Sequence, residues 1–310
     1  MLQCPLFEKI ILGGLMKKNN PKSIAILFLT AIIWGLAFSA QVDAAENGVG
    51  AFTFTGIRFL IASVALIPVI LVFEREKLKK IMLKTTALPA ALAGLVLFTA
   101  SALQQIGIGI NQSAGKSGFI TGLYIVLVPI VSLILFKSKT SFTVWIGAVL
   151  ALGGLYFLGV TPGESVNVGD LFVLASAFFW TAHILIVDRF IANASPIKFS
   201  AVQFFVCGIV GTIIALVFEE VTLSSMIAAK WSILYAAVFS SGVGYTCQII
   251  GQKGADPTVA SIILSCEALF GAIGGVVING EVLSNRAIIG CVLMFMGIIA
   301  SQIVIKKKTV

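Results

Sequence analysis

Residues 51–73 read AFTFTGIRFLIASVALIPVILVF, an apolar run in which Arg58 is the one charged residue. At about 1.5 Å per residue, a helix of this length reaches about 35 Å, enough to cross the roughly 30 Å hydrocarbon core of a bilayer. Similar runs follow one another along the chain. Reading apolar stretches broken by charge, Gly or Pro gives ten candidate spans: Ser23–Val42, Ala51–Phe73, Thr86–Gly107, Ser113–Phe136, Phe142–Leu158, Asp170–Ile191, Phe199–Phe218, Trp231–Ile250, Pro257–Ile278 and Ala287–Ile305. Hydrophobic residues make up 59% of the sequence and charged residues 11%, and the mean hydropathy is +1.08. A soluble domain cannot hide that much apolar surface, whereas lipid requires it. The predicted class is an all-α integral membrane protein with ten transmembrane helices. What remains of the 310 residues averages about ten per connection once each helix takes about 20. No soluble domain fits in that.

The five cysteines, Cys4, Cys207, Cys247, Cys266 and Cys291, stand far apart, and four lie inside apolar spans. None forms a CxxC pair and the single histidine is His183, so the cysteines read as small buried hydrophobes, and no metal or cofactor is expected. Residues 1–22 read as a cytoplasmic N-terminal tail. Within it, Met16-Lys17-Lys18 looks like a natural start, which makes residues 1–15 a mis-assigned extension. A basic stretch before an apolar run also resembles a signal peptide. Ser23–Val42 exceeds the usual h-region of about 7–15 residues and contains Trp34 and Gln41, so it is taken as a retained first helix.

Short cytoplasmic loops concentrate Lys and Arg. Placing the N-terminus inside puts Lys9, Lys17, Lys18, Lys22, Arg75, Lys77, Lys79, Lys80, Lys84, Lys137, Lys139, Arg189, Lys198, Lys253, Lys306, Lys307 and Lys308 on the cytoplasmic face. The other face receives Lys230 and Arg286, and collects Asp43, Glu46, Glu164, Asp170, Glu219, Glu220 and Glu281. Seventeen basic residues against two place both termini in the cytoplasm of a multi-pass protein of the cell membrane, expected to be prokaryotic. The net charge of +8 is then mostly a cytoplasmic rim and calls for no nucleic-acid partner.

The chain also repeats itself. Thr30-x-x-x-Trp34 in span 1 recurs as Ser176-x-x-x-Trp180 in span 6, and Phe54-x-x-x-Arg58-Phe59 in span 2 parallels Phe199-x-x-x-Gln203-Phe204 in span 7. Span 4 contains Gly118-x-x-x-Gly122 and span 9 contains Gly271-x-x-x-Gly275. The order of these matches divides the chain into five-helix units at 23–158 and 170–305, with a linker at 159–169 and a basic tail at 306–310. Five is odd, so the second unit enters from the opposite face. Inverted repeats are a common construction of secondary transporters, with the substrate at the repeat interface near the midplane.

Two strings carry a resemblance to a known family. The first half contains Ser101-Ala102-Leu103-Gln104-Gln105-Ile106-Gly107, then Ser113-Ala114-Gly115-Lys116-Ser117-Gly118-Phe119-Ile120-Thr121-Gly122-Leu123-Tyr124 and Val128-Pro129. The second half contains Gly244-Tyr245-Thr246-Cys247-Gln248 with Gln252-Lys253, then Leu264-Ser265-Cys266-Glu267 and Gly280-Glu281. From about residue 20 onward the chain resembles the drug/metabolite transporter superfamily, in its EamA-type branch of two five-helix repeats. The resemblance implies ten helices with cytoplasmic termini and, usually, export of small metabolites or amino acids. In one departure, the family usually has Pro after the helix-9 Glu, whereas this chain has Ala268.

Polar residues facing lipid are costly, so polar stripes at i, i+3, i+4 spacing should face the interior. Span 1 offers Thr30, Trp34, Phe38 and Gln41, and span 6 offers Ser176, Trp180 and His183. Span 4 has Ser113, Ser117, Thr121 and Tyr124; span 8 has Ser241, Tyr245, Gln248 and Gln252; span 3 has Ser101 beside Gln104 and Gln105. These stripes are expected to converge on one cavity for an amphipathic, amino-acid-sized solute, or else to hydrogen-bond helices together at about 0.6–2 kcal/mol per contact. Glu267 lies near mid-bilayer, where an ionised carboxylate is costly unless paired. There it exchanges a proton for substrate, binds a substrate amine, or serves as a structural carboxyl. Arg58 is its candidate partner, or else snorkels to the interface or ties helices together. Lys116 is expected to reach the outer interface. His183 relays protons or packs as a neutral, hydrogen-bonded ring. Gly118, Gly122, Gly271 and Gly275 let backbones approach closely, so spans 4 and 9 should pack together. Spans 5 and 10, short and apolar, belong at the periphery, against lipid or a second copy in a homodimer.

The function expected is secondary transport by alternating access, exporting small metabolites or amino-acid-like solutes, with proton coupling through Glu267. A passive facilitator would use the same cavity. An intramembrane enzyme would need a nucleophile–base pair or clustered metal ligands, which one histidine and scattered carboxylates do not supply. A sensor would need a soluble output domain. Without a GxxxxGK[ST] loop, ATP-driven pumping by this chain is not expected.

Overall fold

The computed structural model describes residues 19–73, 86–138, 140–163, 165–279 and 284–303. The N-terminal extension, the tail at 306–310, Arg75, Lys77, Lys79, Lys80, Lys84, Lys139, Glu164, Gly280 and Glu281 lie outside the described residues. Lipid offers no partner for backbone N–H and C=O groups, so apolar runs satisfy their hydrogen bonds internally, as helices. The helices are α1 (Pro21–Gly35, then Ala37–Glu46 after a turn at Leu36), α2 (Ala51–Phe73), α3 (Leu88–Asn111), α4 (Ala114–Thr121, then Tyr124–Phe136), α5 (Phe142–Gly159), α6 (Val168–Phe190), α7 (Pro196–Phe218), α8 (Lys230–Gln252), α9 (Pro257–Leu264, then Glu267–Asn279) and α10 (Asn285–Gln302). Among the described residues, all but α9 form segments long and apolar enough to cross a membrane, and α9 supplies a shorter apolar stretch, Pro257–Ile273.

Helix starts sit a few residues outside several predicted spans because capping chemistry, rather than hydropathy, sets them. Asn20, Ser195 and Asp256 accept a hydrogen bond from the first turns of α1, α7 and α9, each followed by Pro at the first helical position, where its missing N–H costs nothing. Asn167 and Asp170 form a capping box at α6. The start of α2 is capped from another helix. Glu219, at the end of α7, accepts from Phe52 N, Thr53 N and Thr53 Oγ1, each at 2.8 Å.

The packing order reveals a pseudo-twofold. Helix α2 lies on its counterpart α7, and α5 on α10. The contact of α3 with α6 is mirrored by α8 with α1, that of α3 with α7 by α8 with α2, and that of α4 with α6 by α9 with α1. The two halves are therefore inverted copies. The corner where α3, α4 and α6 meet is tied by Lys116 Nζ to Asp170 Oδ2 at 2.9 Å and to the Ser165 carbonyl at 2.9 Å, with Asn111 Nδ2 donating to Asp170 Oδ1 at 3.0 Å. At the equivalent corner of α8, α9 and α1, the Asn20 N–H donates to the Gly254 carbonyl and the Asp256 N–H to Asn19 Oδ1, both at 2.9 Å. Lys116 is thus buried in an ion pair rather than reaching the interface; a partner from the linker region is close enough to hold it.

Helices α5 and α10 face outward with Phe142, Val149, Val292 and Phe295, a lipid-facing surface. Their shared face is glycine. A Cβ on Gly147 or Gly154 would lie 2.6 Å from the carbonyl oxygen of Gly297 or Gly290, a separation that only glycine permits.

Candidate functional site

Four departures from regular α-helix lie beside residues that line one cavity. They are the turn at Leu36 in α1, the breaks at Gly122–Leu123 in α4 and Ser265–Cys266 in α9, and a π-helical stretch, Ala236–Tyr245, in α8. Irregular backbone at membrane depth is tolerated where it is buried in protein or lines a cavity, and π-turns frequently mark functional sites. The two breaks match bond for bond. Gly122 N donates to Gly118 O at 2.9 Å, Leu123 N to Ile120 O at 3.2 Å and Ile125 N to Gly122 O at 3.0 Å. In α9, Ser265 N donates to Ser261 O at 3.0 Å, Cys266 N to Ile263 O at 3.1 Å and Ala268 N to Ser265 O at 3.3 Å. The break in α9 therefore forms without the family's usual proline: Ala268 stands in its place, and the Ser265 hydroxyl bonds back to Ile262 O at 2.8 Å.

These irregularities surround a small cavity. Of the residues expected at the site, Trp34, Arg58, Gln104, Tyr124, Trp180, Tyr245, Gln248 and Glu267 line it, together with the stripe residues Phe38, Gln41 and Thr121. Ser240, Ala37, Ile184 and Leu264 also line it and were not anticipated. Tyr245 is the hub of the aromatic lining. Its ring centroid lies 4.6 Å from Trp34, 5.5 Å from Phe59 and 5.9 Å from Trp180, the last in a stacked arrangement. The Trp34 indole donates to the Ser240 carbonyl at 3.1 Å, and Gln104 Nε2 to Thr121 Oγ1 at 3.0 Å. Several polar atoms around the cavity have no hydrogen-bond partner within the protein: Arg58 Nε and Nη2, Trp180 Nε1 and Gln248 Oε1. Buried polar groups are normally satisfied, so a cluster of spare ones marks a place for solute or water.

The other expected residues stand behind the walls. His183 Nε2 is 3.0 Å from Gln203 Oε1, and its ring lies edge-on to Trp180 and Tyr245. Gln252 Nε2 donates to Ile184 O at 3.1 Å, and Gln105 Nε2 to Gln41 O at 2.9 Å. Ser117 is fully buried on α4 away from the lining. Among the described residues, no ion pair joins Arg58 to Glu267; the Glu267 carboxyl faces the Tyr124 hydroxyl instead. Nor does Arg58 snorkel, because it is 2% exposed. Helices α4 and α9 do touch, and of their described glycines Gly118 lies at that contact, while Gly122 and Gly271 serve others. Gly122 lies against Leu155 of α5 and Gly271 against Gly35 of α1, while Gly118 meets Phe38 and Ala268 at ordinary distance. Gly275 lies outside the residues whose packing is described.

The model of the EamA-like transporter family matches this chain twice, over residues 21–160 and 167–301. The chain belongs to the EamA-like transporter family. The two matches fall one on each inverted copy. This EamA-like chain is 28% identical over 273 residues to an uncharacterized transporter of Archaeoglobus fulgidus, covering 88% of this chain and 83% of that one. It is 22% identical over 324 residues to a WAT1-related protein of Arabidopsis thaliana, covering 92% and 85% respectively. A solved crystal structure superposes with a TM-score of 0.74 at 18% identity, covering 91% of this chain and 96% of that one; at that identity the likeness speaks for the fold alone.

Proposed function

We propose that this EamA-like protein is a secondary transporter that exports small metabolites or amino-acid-like solutes by alternating access through the cavity between its repeats. The observation that carries this reading is the coincidence of spare polar groups with the paired breaks in α4 and α9. Discontinuous helices at the repeat interface are how inverted-repeat transporters build a midplane site. A break also lets each half-helix tilt separately, so one end of the cavity can open while the other stays packed. The corner ties at Lys116–Asp170 and at Asn20–Gly254 are the contacts that such tilting would strain at opposite ends. Both termini are assigned to the cytoplasm of the cell membrane by the basic-residue asymmetry.

Within this reading Glu267 is the proton-coupling group, a carboxyl in the cavity wall facing a hydroxyl that can follow its protonation. The test is counterflow and efflux in proteoliposomes, with a panel of labelled amino acids and organic acids under an imposed pH gradient. Wild type is expected to exchange a subset of the panel, and Glu267→Gln to exchange it without responding to the gradient. Full gradient response in Glu267→Gln ends the coupling assignment, and no saturable exchange of any solute ends the transport assignment at this cavity.

A further inference from the structure

Arg58 is not explained by packing. It is the largest side chain among the fully buried ones, and it lines the cavity from α2. An arginine stays charged in a protein, and a buried charge is costly unless paired and hydrogen-bonded. The rings of Phe54 and Phe59 lie 5.2 and 4.8 Å from its Cζ. Those contacts engage the positive charge but supply no hydrogen-bond acceptor of the kind a carboxylate offers. The unpartnered donors are Nε and Nη2, the two parallel N–H groups that form the side-on fork complementary to a carboxylate.

The second repeat shows that a cation is not needed here for the fold. Gln203 stands at the corresponding position, and Phe59 and Phe204, the residues that follow each, meet at 5.6 Å where α2 crosses α7. There the neutral amide is engaged by His183 at 3.0 Å. One copy carries a neutral amide whose oxygen is engaged, the other a charge beside the cavity whose Nε and Nη2 have no partner.

We propose that Arg58 anchors a free carboxylate of the transported solute, through two-point contact with Nε and Nη2. This rests on the transporter reading and narrows it to solutes bearing that group. One cation matches one negative charge: the nearest ammonium on the cavity-lining helix α4, Lys116, is held by Asp170 at 2.9 Å. The rest of the solute would lie along Tyr245, which neighbours both Arg58 and Glu267.

The test uses the intrinsic fluorescence of the purified protein, since Trp34 and Trp180 line the cavity. The probes are matched carboxylate–amide pairs: pentanoate with pentanamide, and cyclohexanecarboxylate with its amide. Wild type should half-saturate with the carboxylates at about tenfold or more lower concentration, the scale of one charge-assisted hydrogen bond. Arg58→Gln should bring the ratio to about one, and Arg58→Lys, which keeps charge but loses the fork, should fall between. If Arg58→Gln does not fold, Arg58→Lys decides: a reduced ratio supports the proposal and an unchanged one overturns it. Equal response of wild type to acids and amides overturns the anchor while leaving a solute cavity. No saturable response to any probe overturns both.

Discussion

Tyr124 and Glu267 occupy one position of the repeat: each opens the second half of a broken helix, and their side chains face each other across the cavity. The halves before the break are equally long in the two copies, 8 residues each. Inversion thus sets a phenol against a carboxyl where a symmetric protein would set like against like. If the pair works as a unit, Tyr124→Phe should slow proton-driven exchange about tenfold or more, the scale of a hydrogen bond to a charged group. Combined with Glu267→Gln it should add little, because contacting residues are non-additive. Initial counterflow rates of the four proteins give the answer.

Severing the Lys116–Asp170 pair should destabilise the corner it ties. The two side chains are 9% and 6% exposed, so removing one leaves a poorly solvated charge, at a cost on the order of 3 kcal/mol. Lys116→Met is expected to lower the thermal midpoint in detergent. The double variant Lys116→Met/Asp170→Asn should lose less than the sum of its parts, and strict additivity would show that the pair contributes nothing.

Glu219 holds the start of α2 and with it the helix that carries Arg58. Its carboxylate takes two backbone N–H groups and a hydroxyl at the positive end of the helix dipole. Glu219→Ala should cost about 1–2 kcal/mol, as loss of a good cap does. The readout is a lower thermal midpoint with an unaltered acid-to-amide preference.

Neighbouring glycines of α5 offer a control within one helix. A side chain at Gly154 would run into the Gly290 backbone at 2.6 Å, whereas one at Gly153 meets nothing nearer than Leu293 Cδ1 at 3.9 Å. Gly154→Ala should destabilise by about 1–3 kcal/mol, the range for overpacking, and Gly153→Ala should leave the thermal midpoint near wild type.

The spans were legible because a bilayer imposes length and apolarity directly on sequence. Much of the cavity was legible for the converse reason: Trp34, Gln104, Trp180, Tyr245 and Gln248 are amphipathic or polar residues that lipid penalises, so they turn inward. What periodicity could not supply was neighbours. Lys116 seemed free to reach water until the fold brought Asp170 to it, and Arg58 and Glu267 looked like partners until Tyr124 was found against the carboxyl. The breaks escaped notice because Ser265 and Gly122 are unremarkable in an apolar helix, and no proline announces them. Two signals were available. Offsetting Ala114 onto Pro257 aligns Tyr124 with Glu267, and Gly147/Gly154 and Gly290/Gly297 share one seven-residue spacing. His183, Gln105 and Gln252 show the limit of stripe reasoning, since a helix face can point inward yet end on a neighbouring carbonyl or amide.

The central claim is that the walls around Tyr245 become wet from each side of the membrane in turn. The direct measurement is labelling of Gln248→Cys, in a background with the native cysteines replaced, by a charged thiol reagent applied to either face of sealed vesicles. Labelling from both faces, while the lipid-facing control Phe295→Cys stays unlabelled, is the predicted result. Protection of Gln248→Cys from both faces under exchange conditions, or labelling no different from Phe295→Cys, would contradict it.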